Sequence, residues 1–286
     1  MKRFMNVFYG LYCLCGLCGF AMSASPALAT CGPDPDACLL TDGEYHIVLP
    51  KGGGVASPVV MFLHGAGSNG ANVMRNGGMT KSLLARGYAV IAPTGSRSFR
   101  SGAGRVWNFF PGWEGRDETQ FLQDVADDAA ARFGTSRNNM LLSGFSAGGF
   151  MVYYLACQAP GAFSAYASVS GGFWRPQPVE CAGPVKLLHT HGWRDKTVPI
   201  EGRFLRDGAF QQGDIFAGLE VWREANECVD QRPDSYSETG QFWRRKWSEC
   251  APGSALELAM FPGGHGVPKG WVDMVLNWYE DVAVTH

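Results

Sequence analysis

Short apolar runs alternate with amphipathic segments along most of this chain. The apolar runs are rich in aliphatic and β-branched residues and predict strands at 45–48, 59–63, 88–91, 140–143, 165–169, 185–189 and 256–261. The amphipathic segments predict helices at 80–86, 118–133, 147–158, 215–226 and 271–282. This alternation predicts the α/β class, with a mainly parallel central sheet and helices on both of its faces.

In an open parallel sheet the functional residues gather beyond the carboxyl ends of the strands. After strand 140–143 the sequence reads Gly144-Phe145-Ser146-Ala147-Gly148 and then continues into helix 147–158. A G-x-S-x-G sequence between a strand and a helix predicts a tight turn that presents a nucleophilic serine. Glycines two positions before and after the serine avoid steric clashes, and the helix N-terminus favours negative charge on the serine oxygen. The alternative is an ordinary strand-to-helix turn.

A nucleophilic serine needs a histidine and a carboxylate, which follow it along the chain in the order acid, then histidine. His265 follows the last predicted strand, in a glycine-rich loop, and Asp195 follows strand 185–189. Ser146, Asp195 and His265 are therefore the predicted catalytic residues. The alternatives are a solvated loop histidine and, for Asp195, a surface ion pair with Arg194 or Lys196.

The loop His64-Gly65-Ala66-Gly67 follows strand 59–63, and its glycines allow the backbone to approach a substrate. The backbone amides of Ala66 and Ala147 are the predicted oxyanion donors, and His64 is predicted to hold its loop by hydrogen bonds. His189 and His191 share one strand face, but two ligands without a third do not indicate a metal site. We expect neither metal nor cofactor.

Aromatic residues are frequent on the loops at the predicted catalytic edge. Trp107, Trp193 and Phe145 are the predicted substrate-binding residues, since clefts for small ligands are lined by such side chains. Phe109, Phe110, Trp113, Phe173 and Trp174 are further candidates, and the alternative is that these rings pack the loops onto the domain. Arg97, Arg100 and Arg105 lie in a Gly/Ser-rich loop and would attract a carboxylate-bearing substrate; the alternative is solvated loop charges.

The first 29 residues have the pattern of an export signal. A basic start, an apolar stretch from 4 to 22 and the small-residue site Ala27-Leu28-Ala29 predict cleavage after residue 29 and an extracellular or periplasmic protein. A lipid anchor on Cys31 is the alternative. Residues 30–286 are predicted to form one catalytic domain, a length that fits a single large α/β unit.

Removal of the signal lowers the number of cysteines from nine to six. An even number in an exported chain predicts disulfides, and we expect Cys31 to pair with Cys38 and Cys228 with Cys250, because each pair closes a local loop. For Cys157, in an apolar helix, a buried free thiol is the alternative.

The remaining chain has 22 basic and 26 acidic residues and no basic run. Nucleic acid is therefore not an expected partner, nor is stable membrane association.

These motifs together resemble the secreted polyhydroxybutyrate depolymerase and feruloyl esterase-like branch of the α/β-hydrolases. The resemblance extends from His64-Gly65 through Trp107-Asn108, the Ser146 motif, His191-Gly192 with Asp195, and Trp222 with Asn226 and Cys228, to Gly263-Gly264-His265. It implies cofactor-free hydrolysis of esters of hydroxyacids, such as polyhydroxybutyrate fragments, with feruloyl or acetyl groups on plant polysaccharide as the alternative substrates. A serine peptidase and a non-catalytic binding protein are further alternatives.

The sequence departs from this branch around the predicted substrate groove. Ala66 and Val106 stand where such proteins commonly have cysteines, and Gly266-Val267-Pro268 stands where Thr-Trp-Pro is usual. These differences leave the substrate, a small molecule or an oligomer, open. The oligomeric state is not predicted.

Overall fold

A computed structural model describes residues 37–53, 56–100, 102 and 104–284. The strands are β1 Cys38–Leu40, β2 Gly43–Val48, β3 Ser57–Leu63, β4 Ala89–Pro93, β5 Arg97–Ser98, β6 Arg105–Val106, β7 Thr135–Phe145, β8 Ala165–Val169, β9 Trp174–Arg175, β10 Lys186–Gly192, β11 Phe204–Leu205, β12 Phe210–Gln212, β13 Ser235–Thr239, β14 Phe242–Trp247 and β15 Ala255–Phe261. The helices are α1 Gly70–Arg75, α2 Gly77–Ala85, α3 Glu118–Phe133, α4 Ala147–Gln158, α5 Ile215–Ala225 and α6 Trp271–Val284.

A ten-stranded sheet forms the centre of the fold. Its order is β1-β2-β4-β3-β7-β8-β10-β15-β14-β13. The six strands from β4 to β15 in this order are parallel to one another, and the strands at both edges are antiparallel. The predicted α/β class with a mainly parallel sheet is thereby confirmed.

Two hydrophobic layers cover the two faces of this sheet. Residues of α3, α4 and α5 pack on one face, and residues of α1, α2 and α6 pack on the other. The side chains of β3 alternate between the layers: Val59, Met61 and Leu63 point to the first, and Val60 and Phe62 to the second. A strand buried on both faces favours apolar side chains on each face, which explains the continuous apolar runs in the sequence.

Within the described residues, two disulfides join surface segments to this frame. Cys228 pairs with Cys250, as predicted, and Cys157 pairs with Cys181, so Cys157 is not a free thiol. The expected Cys31–Cys38 pair and the predicted signal at 1–29 lie outside the described residues, because Cys31 and the signal do. Within the described part of the chain, no helix is long and apolar enough to cross a membrane.

The sequence predictions missed the hairpin at one of the two antiparallel edges of the sheet. The hairpin of β13 and β14 pairs with β15 through β14, and most of its side chains are at least partly exposed. Such a strand pair has no continuous apolar run to reveal it. The predicted strand 185–189 is also longer than expected, because β10 continues to Gly192 and so carries His191 within the sheet.

Candidate active site

Ser146 occupies a sharp turn between the central strand β7 and helix α4. Its backbone has φ 57° and ψ −116°, a strained conformation for a residue with a side chain. The Ser146 amide donates to the Val169 carbonyl at 2.9 Å, which ties the turn to β8. A Cβ on Gly144 would meet the Gly148 backbone, and a Cβ on Gly148 would meet the Leu63 carbonyl, so both positions require glycine.

His265 and Asp195 meet Ser146 at this turn. The Nε2 atom of His265 lies 3.0 Å from the Ser146 Oγ, and its Nδ1 atom lies 2.7 Å from Asp195 Oδ2. His265 comes from the loop after β15, and Asp195 from the loop after β10. The three residues singled out in the sequence therefore form one hydrogen-bonded line.

The Asp195 carboxylate is buried and held by backbone amides. Its Oδ1 atom accepts hydrogen bonds from the amides of Thr197 at 2.9 Å and Val198 at 2.8 Å. Burial by itself would raise the pKa of Asp195, but the hydrogen bonds from His265 and from the Val198 amide outweigh it, and the pKa lies below its usual value. Asp195 is therefore a carboxylate at neutral pH and an acceptor for the His265 Nδ1–H.

The loop from His64 to Ser68 approaches the serine from the side of β3. A Cβ on Gly65 would lie 3.2 Å from the Phe145 ring and 3.5 Å from the Ser146 Cβ. Across the described residues, the amides of Ala66 and Ala147 donate to no other group. Both amides are therefore without an acceptor in the described part of the chain.

Four hydrogen bonds hold this loop in place. Gly67 donates to the Arg105 carbonyl at 2.9 Å, and Arg105 donates to the Ser68 carbonyl at 2.8 Å. The Trp107 Nε1 donates to the His64 carbonyl at 2.8 Å, and the Gly95 amide donates to the His64 Nε2 at 3.0 Å. The loop is thus fastened to Gly95, Arg105 and Trp107 by backbone and indole donors.

The His64 side chain is part of this support. Its Nε2 atom accepts from Gly95, so its Nδ1 atom carries the proton and donates to the Gly65 carbonyl at 2.8 Å. Burial lowers the pKa of His64 to about 4, and the imidazole is neutral near pH 7. The structural role predicted for His64 agrees with these contacts.

A buried carboxylate behind the loop was not anticipated from the sequence. The Glu118 side chain accepts from the Ser96 amide and hydroxyl and from the Asn108 amide, and it forms an ion pair with Arg116 at 2.5 Å. These bonds fix the residues beside Gly95 and Trp107. An acidic residue in the first turn of a helix is common, so its sequence position gave no signal of this role.

The predicted substrate-binding aromatics differ in exposure. Trp107 is fully buried and packs 4.9 Å from the His64 ring, which corrects the prediction that it contacts substrate. Phe145 is half-buried, with its ring 4.7 Å from the His265 ring, and Trp193, in the acid loop of residues 192–199, is 60% exposed. Phe145 thus borders the catalytic histidine, and Trp193 is exposed two residues before Asp195.

The other candidate aromatics pack against one another. Trp174 lies 5.1 to 5.6 Å from the rings of Phe109, Phe110 and Trp113, and Phe173 lies 5.3 Å from Tyr154 of α4. Their main role is to fasten the loops to α4. A surface cavity of about 600 Å³ borders this cluster, lined in part by Phe110, Trp113 and the Cys157–Cys181 disulfide.

The three loop arginines differ in exposure and in their contacts. Arg97 donates to the Asn108 side chain and to the Glu114 carbonyl and stacks over Trp113, so its position is structural. Arg100 and Arg105 are exposed: Arg100 lies over the Phe99 ring, and Arg105 donates to the Ser98 hydroxyl at 3.3 Å. Arg105 lies on β6, and its backbone is hydrogen-bonded to the loop of residues 64–68, the oxyanion-side loop.

The histidine pair on β10 has its ring nitrogens engaged by protein groups. His189 contacts Tyr153 and His191, and His191 contacts the Val198 carbonyl. No group of three or more potential metal ligands occurs within the described residues.

The fold and this constellation define an esterase-like α/β-hydrolase. Among solved structures, the chain is similar to an acetyl xylan esterase from Aspergillus awamori, with a TM-score of 0.62, 14% identity, and coverage of 84% of this chain and 94% of that one. It is also similar to a carboxylesterase from Mesorhizobium loti, with a TM-score of 0.57, 17% identity and coverage of 86% and 99%. Residues 40–230 match the Esterase family, described as "Putative esterase", and the chain belongs to that family.

Curated relatives bear out the resemblance noted in the sequence. The chain is 26% identical to a probable feruloyl esterase C of Aspergillus terreus, over 87% of each protein. It is 22% identical to the poly(3-hydroxyalkanoate) depolymerase C of Paucimonas lemoignei, over 77% of this chain and 57% of that protein. It is 24% identical to the bifunctional acetylxylan esterase/xylanase XynS20E of Neocallimastix patriciarum, over 85% of this chain, but it spans only 34% of that protein's length.

Proposed function

We propose that this chain is a secreted carboxylic ester hydrolase that works through Ser146, His265 and Asp195. The observation that carries the proposal is the unbroken line from the Ser146 Oγ to His265 at 3.0 Å and from His265 to Asp195 at 2.7 Å. Its strained turn, free amides and family membership support the same chemistry.

In the acylation step the Ser146 oxygen attacks the ester carbonyl while His265 Nε2 takes the serine proton. Asp195 keeps the other proton of His265 on Nδ1 and stabilises the imidazolium. The amides of Ala66 and Ala147 receive the oxyanion. The C–O bond to the alcohol then breaks, and the alcohol leaves with the proton from His265. Water repeats the sequence on the acyl-serine, releasing the acid and restoring Ser146.

Export fits the remaining features of the chain. The signal at 1–29 would deliver residues 30–286 as one catalytic domain to an oxidising compartment. Disulfides such as Cys157–Cys181 and Cys228–Cys250 persist in such compartments. No step of the mechanism needs a cofactor.

Esters of hydroxyacid oligomers are the first candidate substrates. Arg100 and Arg105 are exposed and have no ion-pair partner among the described residues, and Arg105 lies on the strand that holds the oxyanion-side loop. The free carboxylate of an oligomer would be attracted to these cations. The depolymerase among the relatives supports this candidate.

Feruloyl or acetyl esters of plant polysaccharide are the second candidate. Phe145 and Trp193 flank the histidine and the acid loop and offer surfaces for an aromatic acyl group. The feruloyl esterase C relative aligns with this chain over most of both lengths.

Hydrolysis of short-chain nitrophenyl esters tests the reaction. We expect Ser146→Ala to lower kcat by about 10⁶, leaving the residual rate that binding and oxyanion donors supply. The matched control is Ser164→Ala, whose hydroxyl bonds the backbone of residues 138 and 140, and which should keep the wild-type rate. A fluorophosphonate probe should label the wild type and Ser164→Ala but not Ser146→Ala.

The outcomes separate the alternatives. Absence of both ester hydrolysis and labelling in the wild type would favour a non-catalytic binding protein. Faster cleavage of peptides than of esters would favour a peptidase. Comparison of hydroxybutyrate oligomers, methyl ferulate and acetylated xylan then distinguishes the two substrate candidates.

A further inference from the structure

A chain of buried polar side chains connects helix α4 to the acid loop, residues 192–199. Tyr153 of α4 lies with its hydroxyl 2.7 Å from His189 Nδ1, and His189 Nε2 lies 3.0 Å from His191 Nδ1. His191 Nε2 lies 2.8 Å from the Val198 carbonyl. All three side chains are at most 1% exposed, and the proposed mechanism uses none of them.

The protons in this series of hydrogen bonds can be assigned by starting from the Val198 carbonyl. A carbonyl only accepts, so His191 Nε2 carries a proton and donates to Val198. Burial lowers the pKa of both His189 and His191, so each ring is neutral and has one proton. His191 Nδ1 therefore accepts from His189 Nε2, and His189 Nδ1 accepts from the Tyr153 hydroxyl. Every donor points towards the acid loop.

The chain ends on the residue that holds the catalytic carboxylate. The Val198 carbonyl accepts from His191, while the Val198 amide donates to Asp195 Oδ1 at 2.8 Å. His191 Nε2 also lies 3.8 Å from Asp195 Oδ2, the oxygen that receives the His265 proton donor. His191 thus contacts Val198, the residue whose amide holds Asp195, and also lies close to the carboxylate itself.

We propose that Tyr153, His189 and His191 form a positioning relay that holds the Asp195 carboxylate in register with His265. The inference rests on the proposed function, since it assigns the relay a role in that reaction. His189 and His191 stack with ring centroids 5.2 Å apart and lie on the central strand β10, between β8 and β15. The relay therefore starts from a rigid part of the sheet and helix.

Packing alone does not account for these residues. A typical buried hydrogen bond stabilises a fold only modestly, and apolar side chains of similar shape would fill the same space about as well. Catalysis, in contrast, depends on geometry: a displacement of about 1 Å costs on the order of 10²-fold in rate. Because every hydrogen bond from Tyr153 to Val198 has a fixed donor, these bonds fix the position of Val198, and with it that of Asp195.

Tyr153→Phe is the sharpest test, because it removes one hydroxyl at the end of the relay farthest from Asp195. We expect kcat for a nitrophenyl ester to fall about 2- to 10-fold, the value of one hydrogen bond, with KM unchanged. The matched control is Tyr166→Phe, another buried tyrosine, whose hydroxyl bonds the backbone near 159–163. It should lower thermal stability and leave kcat at the wild-type value.

The histidine variants measure the effect at the other end. His191→Leu should lower kcat about 10- to 100-fold. His191→Gln, which keeps a side-chain N–H for Val198, should recover most of the loss. In proton NMR spectra, the downfield resonance of the His265–Asp195 hydrogen bond should shift or broaden in Tyr153→Phe and His191→Leu, and stay in place in Tyr166→Phe.

Wild-type kcat and an unshifted resonance in folded Tyr153→Phe would overturn the relay, whether or not His191→Leu folds. An equal loss of kcat in Tyr166→Phe would also overturn it, because the effect would then be general to the core. Failure of the proposed function looks different: the wild type itself would neither hydrolyse esters nor react with fluorophosphonate. The NMR resonance would still decide in that case whether the relay positions Asp195.

Discussion

The acid loop (residues 192–199) and the oxyanion-side loop (residues 64–68) approach Ser146 from opposite directions along the sheet, and different chemistry holds each in place. Behind the acid loop stand the neutral side chains of Tyr153, His189 and His191. Behind the oxyanion-side loop, backbone and indole donors are fixed in turn by the buried Arg116–Glu118 ion pair.

The difference between the two loops follows from how close each buried carboxylate lies to the His265 imidazole. Asp195 has to remain the buried charge that faces His265, so a second buried charge beside it would compete for the imidazole or shift its titration. On the other side the Glu118 carboxylate lies one layer behind the loop and accepts from Ser96, Asn108 and Arg116. A paired and fully bonded charge there supports the loop while adding little field at the serine.

Glu118→Gln should give the largest effect of this comparison. The substitution keeps the shape of the side chain but leaves Arg116 buried without its partner, so we expect the free energy of unfolding to fall by about 3 to 5 kcal/mol. Urea denaturation measures the change. The rate should fall as well, because the glutamine oxygen can still accept from Ser96 and Asn108 but its NH2 group would face the Arg116 donors, and the residues that hold the loop would shift.

The control is Glu257→Gln at the ion pair with Arg244, near the antiparallel edge of the sheet. It should also lower stability, but it should leave kcat unchanged, because the Glu257 side chain bonds Arg244 and no residue of the site. If the free energy of unfolding of Glu118→Gln lay within about 1 kcal/mol of the wild-type value, the ion pair would not be what supports the oxyanion-side loop.

The buried histidines predict an acid-sensitive fold on both sides of Ser146. Burial lowers the pKa of His64 to about 4 in the folded state, from an ordinary value near 6.5. The unfolded chain therefore takes up a proton first as the pH falls. The contribution of His64 is complete above pH ~6.5, and roughly 3 kcal/mol of stability is lost between ~6.5 and ~4. The lowered pKa values of His189 and His191 act in the same direction.

Urea denaturation at a series of pH values between 7 and 5 measures this loss. His64→Gln should be less stable than the wild type at pH 7, because it weakens the bonds to Gly65 and Gly95, but its stability should depend less steeply on pH. Equal stability of the wild type at pH 7 and pH 5 would contradict the prediction.

The features of the site differ in how well they could be predicted from the sequence. The Ser146 turn could be predicted because its strand, glycines and helix are contiguous, and Asp195 and His265 because strand order fixes which loops meet. The Cys228–Cys250 bridge closes a short loop and was predicted for that reason. The shared face of His189 and His191 followed from the two-residue repeat of a strand.

What the sequence did not reveal depends on contacts between distant segments. Glu118 and Ser96 are far apart along the chain, and nothing local in either residue indicates a shared hydrogen bond. Exposure is a second such property: Trp107 and Trp193 have similar loop contexts, yet the first is fully buried and the second is 60% exposed. The hairpin of β13 and β14 was missed because its polar faces carry no apolar periodicity.

The smallest expected effect tests which loop receives the carboxylate of a substrate. Arg105→Gln, on the oxyanion side, should lower kcat/KM for a hydroxybutyrate oligomer about 1.5- to 5-fold, the value of an exposed ion pair, and should not change it for the methyl ester of the same oligomer. Added salt should reduce the wild-type preference for the free acid, because exposed charges are screened.

The control is Lys196→Gln, an exposed cation on the acid loop, which should alter neither value. If Lys196→Gln discriminates and Arg105→Gln does not, the carboxylate lies on the acid side; if neither does, the charge has no part in recognition, and the hydroxycinnamoyl esters become the better candidate.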